Sequence, residues 1–385
     1  MKKINLLLIA ILAIFPLGQW TRLPISWPFV HIYAHDLLIL VLSFVLLKKQ
    51  GFRKLINSPI FKIFLPFLVI CFASLLINLG RWGVKNSILG SLYLVRYLAY
   101  LFIFLSAVYL SKENKNKLLK LLLTIGWITA VMGLIQYFVY PDFRSWELFG
   151  WDPHLYRIVG TYFDPGFTGL IYAWSLILIL VLFWKKIAKL DLKIIIFWIA
   201  PIFLALILTY SRSTYLAFLG AIGLIALVKK NGKIFIISVS LLVLALLFLP
   251  RKEGIGTKLE RQDSWFSRVE SWKNSFQIIK KNPLLGVGFN NYRFAQQEAG
   301  YLESKSQEDH GSTGVDNSLL FVLATTGVLG FAAFSYFWIK VIKKRNLLIS
   351  AILVSWIISS FFNNSLFYPW AIVEFWIILG LVVDG

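Results

Sequence analysis

Apolar runs long enough to cross a membrane recur along almost the whole chain, and they constrain the fold more than any other feature. Many of these runs are about 17–23 residues long, which as a helix spans roughly 30 Å of hydrocarbon. Only 15% of the residues are charged, against about 25% in an ordinary soluble domain. A soluble globular fold and intrinsic disorder are both excluded, and the sequence predicts an all-α polytopic integral membrane protein.

The apolar runs predict about twelve transmembrane helices and one connection that is much longer than the others. The predicted spans cover residues 4–20, 33–47, 60–79, 89–110, 118–140, 166–184, 194–210, 213–228, 234–249, 317–338, 347–363 and 369–383. The chain is therefore expected to form a transmembrane bundle at 1–249, a large outer loop at 250–316 and a second transmembrane bundle at 317–385. A loop of this length is usually functional or disordered, and we expect it to form part of the active site.

The chain also carries a large excess of positive charge, with 39 Lys and Arg against 18 Asp and Glu. In a soluble chain this excess would indicate nucleic acid, but in a membrane chain the first explanation is topology, because Lys and Arg accumulate on cytoplasmic loops. If the first span starts on the inside, the inner connections hold most of the lysines. We therefore expect both termini on the inside and no nucleic-acid partner.

Arginine follows a different distribution from lysine, because most arginines fall on the predicted outer side or near the outer ends of spans. The guanidinium group is planar, always charged and suited to phosphate and carboxylate. The plain alternative is that AT-rich coding favours lysine and that loop length alone places these arginines outside. The outer arginines are Arg22, Arg81, Arg96, Arg144, Arg157, Arg212, Arg251, Arg261, Arg268 and Arg293.

The large outer loop contains a segment with helical periodicity at 264–281. Trp265, Val269, Trp272, Phe276 and Ile279 recur at the spacing of one helix face. This pattern predicts an amphipathic helix at the membrane interface, since it is basic and rich in Trp. The alternative is a helix that simply packs on neighbouring loops.

Four clusters of polar residues on the predicted outer face are candidates for chemistry. Arg157 opens the segment 157–166, and Arg212 lies in 209–214 between two closely spaced spans. Arg261 and Arg268 lie on one side if both are helical, and 282–288 follows them. The fourth cluster is His310 with Asp316 and Asn317.

Ionisable groups within spans are costly and therefore indicate function. Arg96 and Glu374 are such groups, and we expect them to line a cavity, with snorkelling or a structural ion pair as the alternative. A metal site is not expected, because His31 and His35 have no third ligand and Cys71 is the single cysteine. Together the clusters suit a phosphate-rich, lipid-linked substrate, with arginines on a diphosphate and an Asp or His as base.

Several short motifs resemble the O-antigen ligase/O-antigen polymerase superfamily of polytopic membrane glycosyltransferases, both in order and in spacing. They are GLIQY at 133–137, RIVGT at 157–161, TYSR at 209–212, RVESW at 268–272, NPLLGVG at 282–288, DNSLL at 316–320 and GVLG at 327–330. The resemblance covers most of the chain, including the large outer loop.

The resemblance implies a metal-independent glycosyltransferase without a cofactor, on the outer face of the bacterial cytoplasmic membrane. Such an enzyme takes a glycan from an undecaprenyl-diphosphate-linked donor and passes it to a hydroxyl of a glycan or lipid-linked acceptor. Arg212 and Arg268 match family arginines that are thought to bind the diphosphate, and Arg157 matches a further basic position.

Ligases of the family carry a His–Asn pair at the end of the loop as candidate base, whereas this chain has Asp316–Asn317 with His310 six residues earlier. Asp316 and His310 both stay candidates, and the difference favours a polysaccharide polymerase or a related transferase. Two other classes remain open. A transporter or flippase would use the arginines as an anion path, and a non-enzymatic scaffold would work with Asp316 and His310 neutralised.

Overall fold

The computed structural model describes residues 2–24, 30–183, 191–249, 252, 255–302, 314–343 and 346–383. Helices dominate the described residues, and their only β-type pairing is two isolated bridges, Arg22 with Tyr33 and Asp142 with Leu155. A helix satisfies its own backbone hydrogen bonds, so a chain of apolar runs can form it without water. The prediction of an all-α fold is confirmed.

Fifteen helices position the parts of the molecule discussed below, together with several short 3-10 turns. In chain order they are α1 (Lys2–Ala13), α2 (Ala34–Gln50), α3 (Phe52–Ile56), α4 (Pro59–Ile77), α5 (Leu79–Val108), α6 (Lys112–Val139), α7 (Pro165–Leu182), α8 (Ala200–Leu208), α9 (Arg212–Val228), α10 (Gly232–Phe248), α11 (Asp263–Lys281), α12 (Tyr292–Glu298), α13 (Ser318–Ile342), α14 (Leu347–Ser360) and α15 (Pro369–Val382).

Every predicted span overlaps a helix, but the helices differ in how well they could cross a membrane. Among the described residues, five helices are long and apolar enough: α4, α5, α6, α7 and α13. Helix α1 with the 3-10 turn Phe15–Thr21 makes a sixth if this pair, bent by 70°, is one span. The protein is thus a multi-pass membrane protein, and the count of twelve spans stays a prediction.

The core of the bundle is formed by helices that are distant in sequence. Helix α9 packs against α14 and α7, α15 packs against α5, and α13 packs against α4. Small residues permit the closest of these approaches. A Cβ atom built on Gly380 of α15 would lie 2.6 Å from the Ala107 Cβ atom of α5, so a larger side chain would force the two helices apart.

The segment 282–288 packs into a break in α13. Gly327 interrupts that helix with φ +66°, and Gly286 also has φ +66°. The Val287 amide donates to Ala324 O at 3.0 Å, and the Val328 amide donates to Pro283 O at 2.9 Å. Both glycines are required because a Cβ on either would lie within 2.4 Å of the opposing backbone. This contact anchors the C-terminal end of α11 on α13.

Helix α11 occupies the predicted amphipathic segment, and the apolar stripe forms only part of the face that packs within the protein. Ser275, Ile278 and Ile279 are buried, whereas Trp265 and Phe276 are about half exposed, at 48% and 49%. An apolar stripe that the protein leaves partly exposed is compatible with the predicted interfacial helix, and its place at the membrane interface stays a prediction. Spacing alone favoured the large apolar side chains, whereas packing on α13 selects the neighbouring face with its small serines.

Candidate active site

Arg157 lies in a loop that the Gln136 side chain of α6 holds in place. The Gln136 amide oxygen accepts from the Val159 amide at 3.0 Å, and its amide nitrogen donates to Arg157 O at 3.3 Å. The Ile158 amide then donates to Leu208 O at 2.9 Å. These bonds bring the loop against the end of α8, so the guanidinium of Arg157 lies beside the connection between α8 and α9.

That connection carries Arg212 as the first residue of α9. Tyr210 has φ +48°, which makes a sharp turn between the two helices. The Arg212 Nη1 atom donates to Leu259 O and Arg261 O, both at 3.0 Å, and Nη2 donates to Ser264 Oγ at 2.6 Å. Arg212 thereby fixes the segment that leads into α11.

Four guanidiniums from different parts of the chain meet here: Arg157 and Arg261 share one acceptor atom, and Arg212 and Arg268 donate to two atoms of Ser264. Arg157 Nη2 and Arg261 Nη2 both donate to Tyr210 O at 3.3 Å, and Arg268 Nη1 donates to Ser264 O at 3.2 Å. Arg268 Nε also donates to Phe362 O at 2.9 Å. We name this group the arginine cluster: Arg157, Arg212, Arg261 and Arg268. Arg261 precedes α11, so the two arginines are not both helical.

The positive charge of the arginine cluster has no ion-pair partner among the described residues, since no carboxylate oxygen lies within 4.0 Å of these guanidiniums. Burial lowers the pKa of Arg157 to about 9, and the nearby Arg261 lowers it further. Burial also lowers the pKa of Arg261 to about 10, with contributions from Arg212 and Arg268. A protein that concentrates like charges in this way provides a site for an anion.

Two aspartates interact electrostatically with this cluster without forming an ion pair. Asp164 caps α7, because its Oδ1 atom accepts from the Phe167 amide at 2.7 Å. Burial raises the pKa of Asp164, whereas the Phe167 amide and the guanidiniums of Arg157 and Arg268 lower it. Burial likewise raises the pKa of Asp316, which Arg268 lowers and Asp164 raises. The candidate base Asp316 is thus brought to the arginine cluster.

The other candidate residues lie in different places. Asn317 caps α13, with its Oδ1 atom accepting from the amides of Leu319 and Leu320 at 2.9 and 3.1 Å. Glu374 is buried in α15, and no described residue is a hydrogen-bond partner of its Oε2 atom. His310 lies outside the described residues.

Arg96 belongs to a second polar group, between α2 and α5. Its Nη2 atom forms an ion pair with Asp36 Oδ2 at 2.9 Å, and the Tyr100 hydroxyl donates to Asp36 Oδ1 at 2.5 Å. Arg96 and Asp36 also line a cleft with Leu37 and Leu92. Arg96 therefore lines a cleft and also forms a structural ion pair with Asp36. It is not part of the arginine cluster.

One group beside the arginine cluster was not predicted. Asp152, His154 and Asp164 each offer a ligand atom, and these atoms lie within 4.8 Å of one another. Burial lowers the pKa of His154 to about 3, and Arg157 and Arg261 lower it further, so the imidazole is neutral at physiological pH. The D-x-H spacing of 152–154 was a weak signal in the sequence, and Asp164 completes the group only through the fold.

Residues 195–335 match the family described as O-antigen ligase. This match supports membership of the O-antigen ligase/polymerase family. The matched segment contains Arg212, Arg261, Arg268 and Asp316, whereas Arg157 precedes it. No curated protein matches the chain.

Membership of the O-antigen ligase/polymerase family indicates an enzyme that transfers glycan and that acts on lipid-linked glycan substrates in a membrane. The arginine cluster concentrates positive charge near the Asp316 carboxyl. Its guanidiniums are held by backbone carbonyls, so they are oriented without being neutralised. Arg268 donates two hydrogen bonds to described residues. A guanidinium has five N–H donors, so donors remain for a ligand.

Proposed function

We propose that the protein is an outer-leaflet glycosyltransferase of the bacterial cytoplasmic membrane, a polysaccharide polymerase or ligase. It transfers glycan from an undecaprenyl-diphosphate-linked donor to a hydroxyl of a glycan or lipid-linked acceptor. The observation that supports this most is the arginine cluster, where four guanidiniums converge without an ion-pair partner among the described residues. A diphosphate diester, with two negative charges and several acceptor oxygens, matches this arrangement.

In this proposal Arg212 and Arg268 bind the diphosphate, with Arg157 and Arg261 completing the positive field. The bond between the anomeric carbon and the diphosphate oxygen breaks, and its electron pair leaves with the diphosphate. Negative charge therefore grows on the leaving group in the transition state. Guanidiniums that are already oriented by carbonyl acceptors stabilise that charge with little reorganisation. The arginines supply this stabilisation without a metal ion or cofactor.

The acceptor hydroxyl attacks the anomeric carbon, and its proton passes to a base. Asp316 is the proposed base within the described residues, because it lies in the field of Arg268 and beside Asp164. His310 is the second candidate. The buried Asp316 carboxyl has a raised pKa, which makes its carboxylate a stronger base than an exposed one.

The proposed topology places the arginine cluster outside. Both termini lie on the inner side, and the outer loop at 250–316 carries Arg261 and Arg268 over the ends of α8 and α9. This arrangement suits a donor whose lipid stays in the bilayer while its diphosphate reaches the outer surface. The partners are then the lipid-linked donor, the acceptor and the bilayer, with no nucleic acid.

The test is transfer by purified protein in lipid nanodiscs, supplied with a synthetic undecaprenyl-diphosphate oligosaccharide and analysed by mass spectrometry. Arg212→Ala and Arg268→Ala are expected to lower the rate about 100-fold or more, because each removes several charge-assisted hydrogen bonds worth about 1.5–3 kcal/mol apiece. Arg81→Ala is the matched control, since Arg81 is an arginine that forms an ion pair with Glu298.

Wild-type rates in both cluster variants would contradict the proposal. Flux of the lipid-linked donor in vesicles without new glycosidic bonds would indicate a transporter or flippase. Full function after neutralisation of both Asp316 and His310 would indicate a scaffold. Chain extension distinguishes a polymerase from a ligase, which would instead transfer the glycan to a different acceptor.

A further inference from the structure

A short antiparallel pairing holds His154 beside the arginine cluster. The Phe143 amide donates to His154 O at 2.7 Å, and the Tyr156 amide donates to Pro141 O at 2.9 Å. Asp142 and Leu155 form the bridge between these two bonds. The backbone of His154 is therefore fixed from both sides, so its ring position follows from the fold of the loop.

Three polar side chains converge at this position. Ligand atoms of Asp152, His154 and Asp164 lie within 4.8 Å of one another. Asp152 is exposed, whereas His154 and Asp164 are half-buried, so the group opens outward at Asp152. No described residue is a hydrogen-bond partner of His154 Nε2. This nitrogen is also shielded from solvent, and a buried ring nitrogen without a partner is costly, so an O–H donor that reaches it would be favoured.

Aromatic side chains flank the same three residues. Phe163 directly precedes Asp164, and the rings of Trp146 and Trp151 pack edge-on against it with centroid distances of 4.6 and 5.2 Å. Trp151 directly precedes Asp152. Both tryptophans are half-buried, so neither residue is fully enclosed by the protein.

The charges around the group favour a neutral ligand over a cation. Arg157 and Arg261 both act electrostatically on His154, and Arg157 also acts on Asp164. Two guanidiniums at this range oppose the binding of a divalent metal ion. A sugar ring carries no charge, presents several O–H donors to carboxylate and imidazole acceptors, and offers an apolar face to indole rings.

We infer that Asp152, His154 and Asp164, with Trp151 beside them, form a subsite for a sugar ring. The inference rests on the proposed function and adds the residues that bind the glycan. The subsite adjoins the arginine cluster at Arg157, so the sugar bound here lies next to the diphosphate. Two sugars have the O–H donors and the apolar ring face that fit this subsite: the first sugar of the donor and the terminal sugar of the acceptor.

The experiment uses two separate probes on the full-length protein in nanodiscs, with binding measured by calorimetry. The first is the free repeat-unit oligosaccharide, prepared by acid hydrolysis of the organism's own polysaccharide, and the second is inorganic pyrophosphate. His154→Gln and Asp152→Asn are each expected to weaken oligosaccharide binding about tenfold and to leave pyrophosphate binding unchanged. Arg268→Ala is expected to weaken pyrophosphate binding and to leave oligosaccharide binding unchanged.

Asp142→Asn is the matched control, because Asp142 belongs to the same paired segment and binds Arg144 instead. The exposed Asp152 keeps the test informative if the His154 variant does not fold. Wild-type oligosaccharide affinity in both variants would overturn the inference. Tight Mn²⁺ binding that His154→Gln abolishes, without any change in oligosaccharide affinity, would also overturn it, since the group would then be a metal site.

Kinetics separates the two sources of the sugar. A donor with a single sugar on the diphosphate is compared with a donor that carries the full repeat unit, at fixed and at varied acceptor concentration. A raised KM for the single-sugar donor in His154→Gln assigns the subsite to the donor, and a raised KM for the acceptor alone assigns it to the acceptor. Wild-type transfer rates in Arg212→Ala and Arg268→Ala would instead refute the glycosyltransferase proposal, whether or not the oligosaccharide binds at the subsite.

Discussion

Two groups of arginines on the predicted outer side of this protein differ in what holds them. Arg81, Arg96 and Arg144 each form an ion pair with a carboxylate, provided by Glu298, Asp36 and Asp142. We name them the paired arginines. The four guanidiniums of the arginine cluster are instead held by carbonyl and hydroxyl oxygens of Leu259, Tyr210, Ser264 and Phe362, among others.

The two groups of arginines differ in whether their charge can still act on a ligand in the folded protein. A guanidinium paired with a carboxylate is neutralised and contributes to structure. One held by carbonyl oxygens is oriented but keeps its net charge. Only the second kind can attract an anionic substrate, so the comparison predicts different consequences for the two groups when each is altered.

The largest fall in the transfer rate is expected when a carboxylate is introduced beside the arginine cluster, so that its guanidiniums become ion-paired. Ser264→Asp would place a carboxylate where Ser264 Oγ now accepts from Arg212 Nη2 at 2.6 Å. The carboxylate would compete with the diphosphate for Arg212 and Arg268, and we expect transfer to fall about 100-fold through lost charge-assisted hydrogen bonds.

The same substitution should not destabilise the protein, because residue 264 lies in the first turn of α11, where a negative charge is favourable. The measurements are the transfer rate and the thermal unfolding of Ser264→Asp, with Ser264→Ala as the control for loss of the hydroxyl. A transfer rate equal to that of Ser264→Ala would show that the charge of the cluster is unimportant.

The next largest effect is a loss of stability, expected when a paired arginine is left without its partner. Asp36→Ala would leave the Arg96 guanidinium uncompensated between α2 and α5, where its side chain is only 16% exposed. We expect a loss of about 3 kcal/mol in the free energy of unfolding, the lower end for a broken buried pair. The transfer rate per folded molecule should stay at the wild-type value.

Chemical denaturation in mixed micelles measures this loss. The double variant Asp36→Asn with Arg96→Gln provides the control, since removing both charges should recover part of the stability. Equal stabilities of Asp36→Ala and the wild type would mean that Arg96 is not neutralised by this pair.

A smaller effect is expected in the pH dependence of the protein's stability. Burial raises the pKa of Asp316, so the folded protein binds this proton more readily than the unfolded chain. The stability that the carboxyl contributes therefore falls as pH rises from the unfolded value of 3.8 through the raised folded value. At neutral pH, Asp316→Asn should unfold at a higher temperature than the wild type, and this difference should disappear below the unfolded pKa.

Thermal unfolding at several pH values checks this sign. Asp142→Asn is the control, because the Arg144 hydrogen bonds lower the pKa of Asp142 to about 2 and the sign is reversed. A wild type that is more stable than Asp316→Asn at neutral pH would show that the Asp316 carboxylate is stabilised rather than penalised by its surroundings.

The smallest effect is expected at the exposed ion pair of Arg144 and Asp142. Arg144 and Asp142 are joined by two hydrogen bonds of 2.9 and 2.7 Å, but both side chains are well exposed. Water screens such pairs, and most contribute little to stability. Arg144→Ala should leave transfer and unfolding temperature at wild-type values, and a large loss of transfer would place Arg144 with the arginine cluster.

Several features of the active site followed from sequence reasoning. Arg157, Arg212, Arg261 and Arg268 were candidates as outer arginines, and the fold brings them together, with Asp316 beside them. The short motifs around them were recognisable because each carries a local constraint, such as the turn at 209–212 or the glycine at 286.

Other features could not be predicted because they depend on contacts across long stretches of chain. The pair of Asp36 and Arg96 joins two helices 60 residues apart. Asp164 meets His154 in the folded loop, where Phe163 packs against Trp151. The buried face of α11 follows from packing on α13, so its periodicity indicated the helix but not which side turns inward.

That this is a chain of membrane helices follows from the sequence alone, because apolar runs of this length must satisfy their backbone hydrogen bonds internally. The gathering of arginines on one predicted side also follows from the sequence. Which of those arginines are neutralised depends on the tertiary structure. That distinction depends on whether a carboxylate or a carbonyl oxygen lies within about 3 Å of a guanidinium, which is set by packing between distant segments.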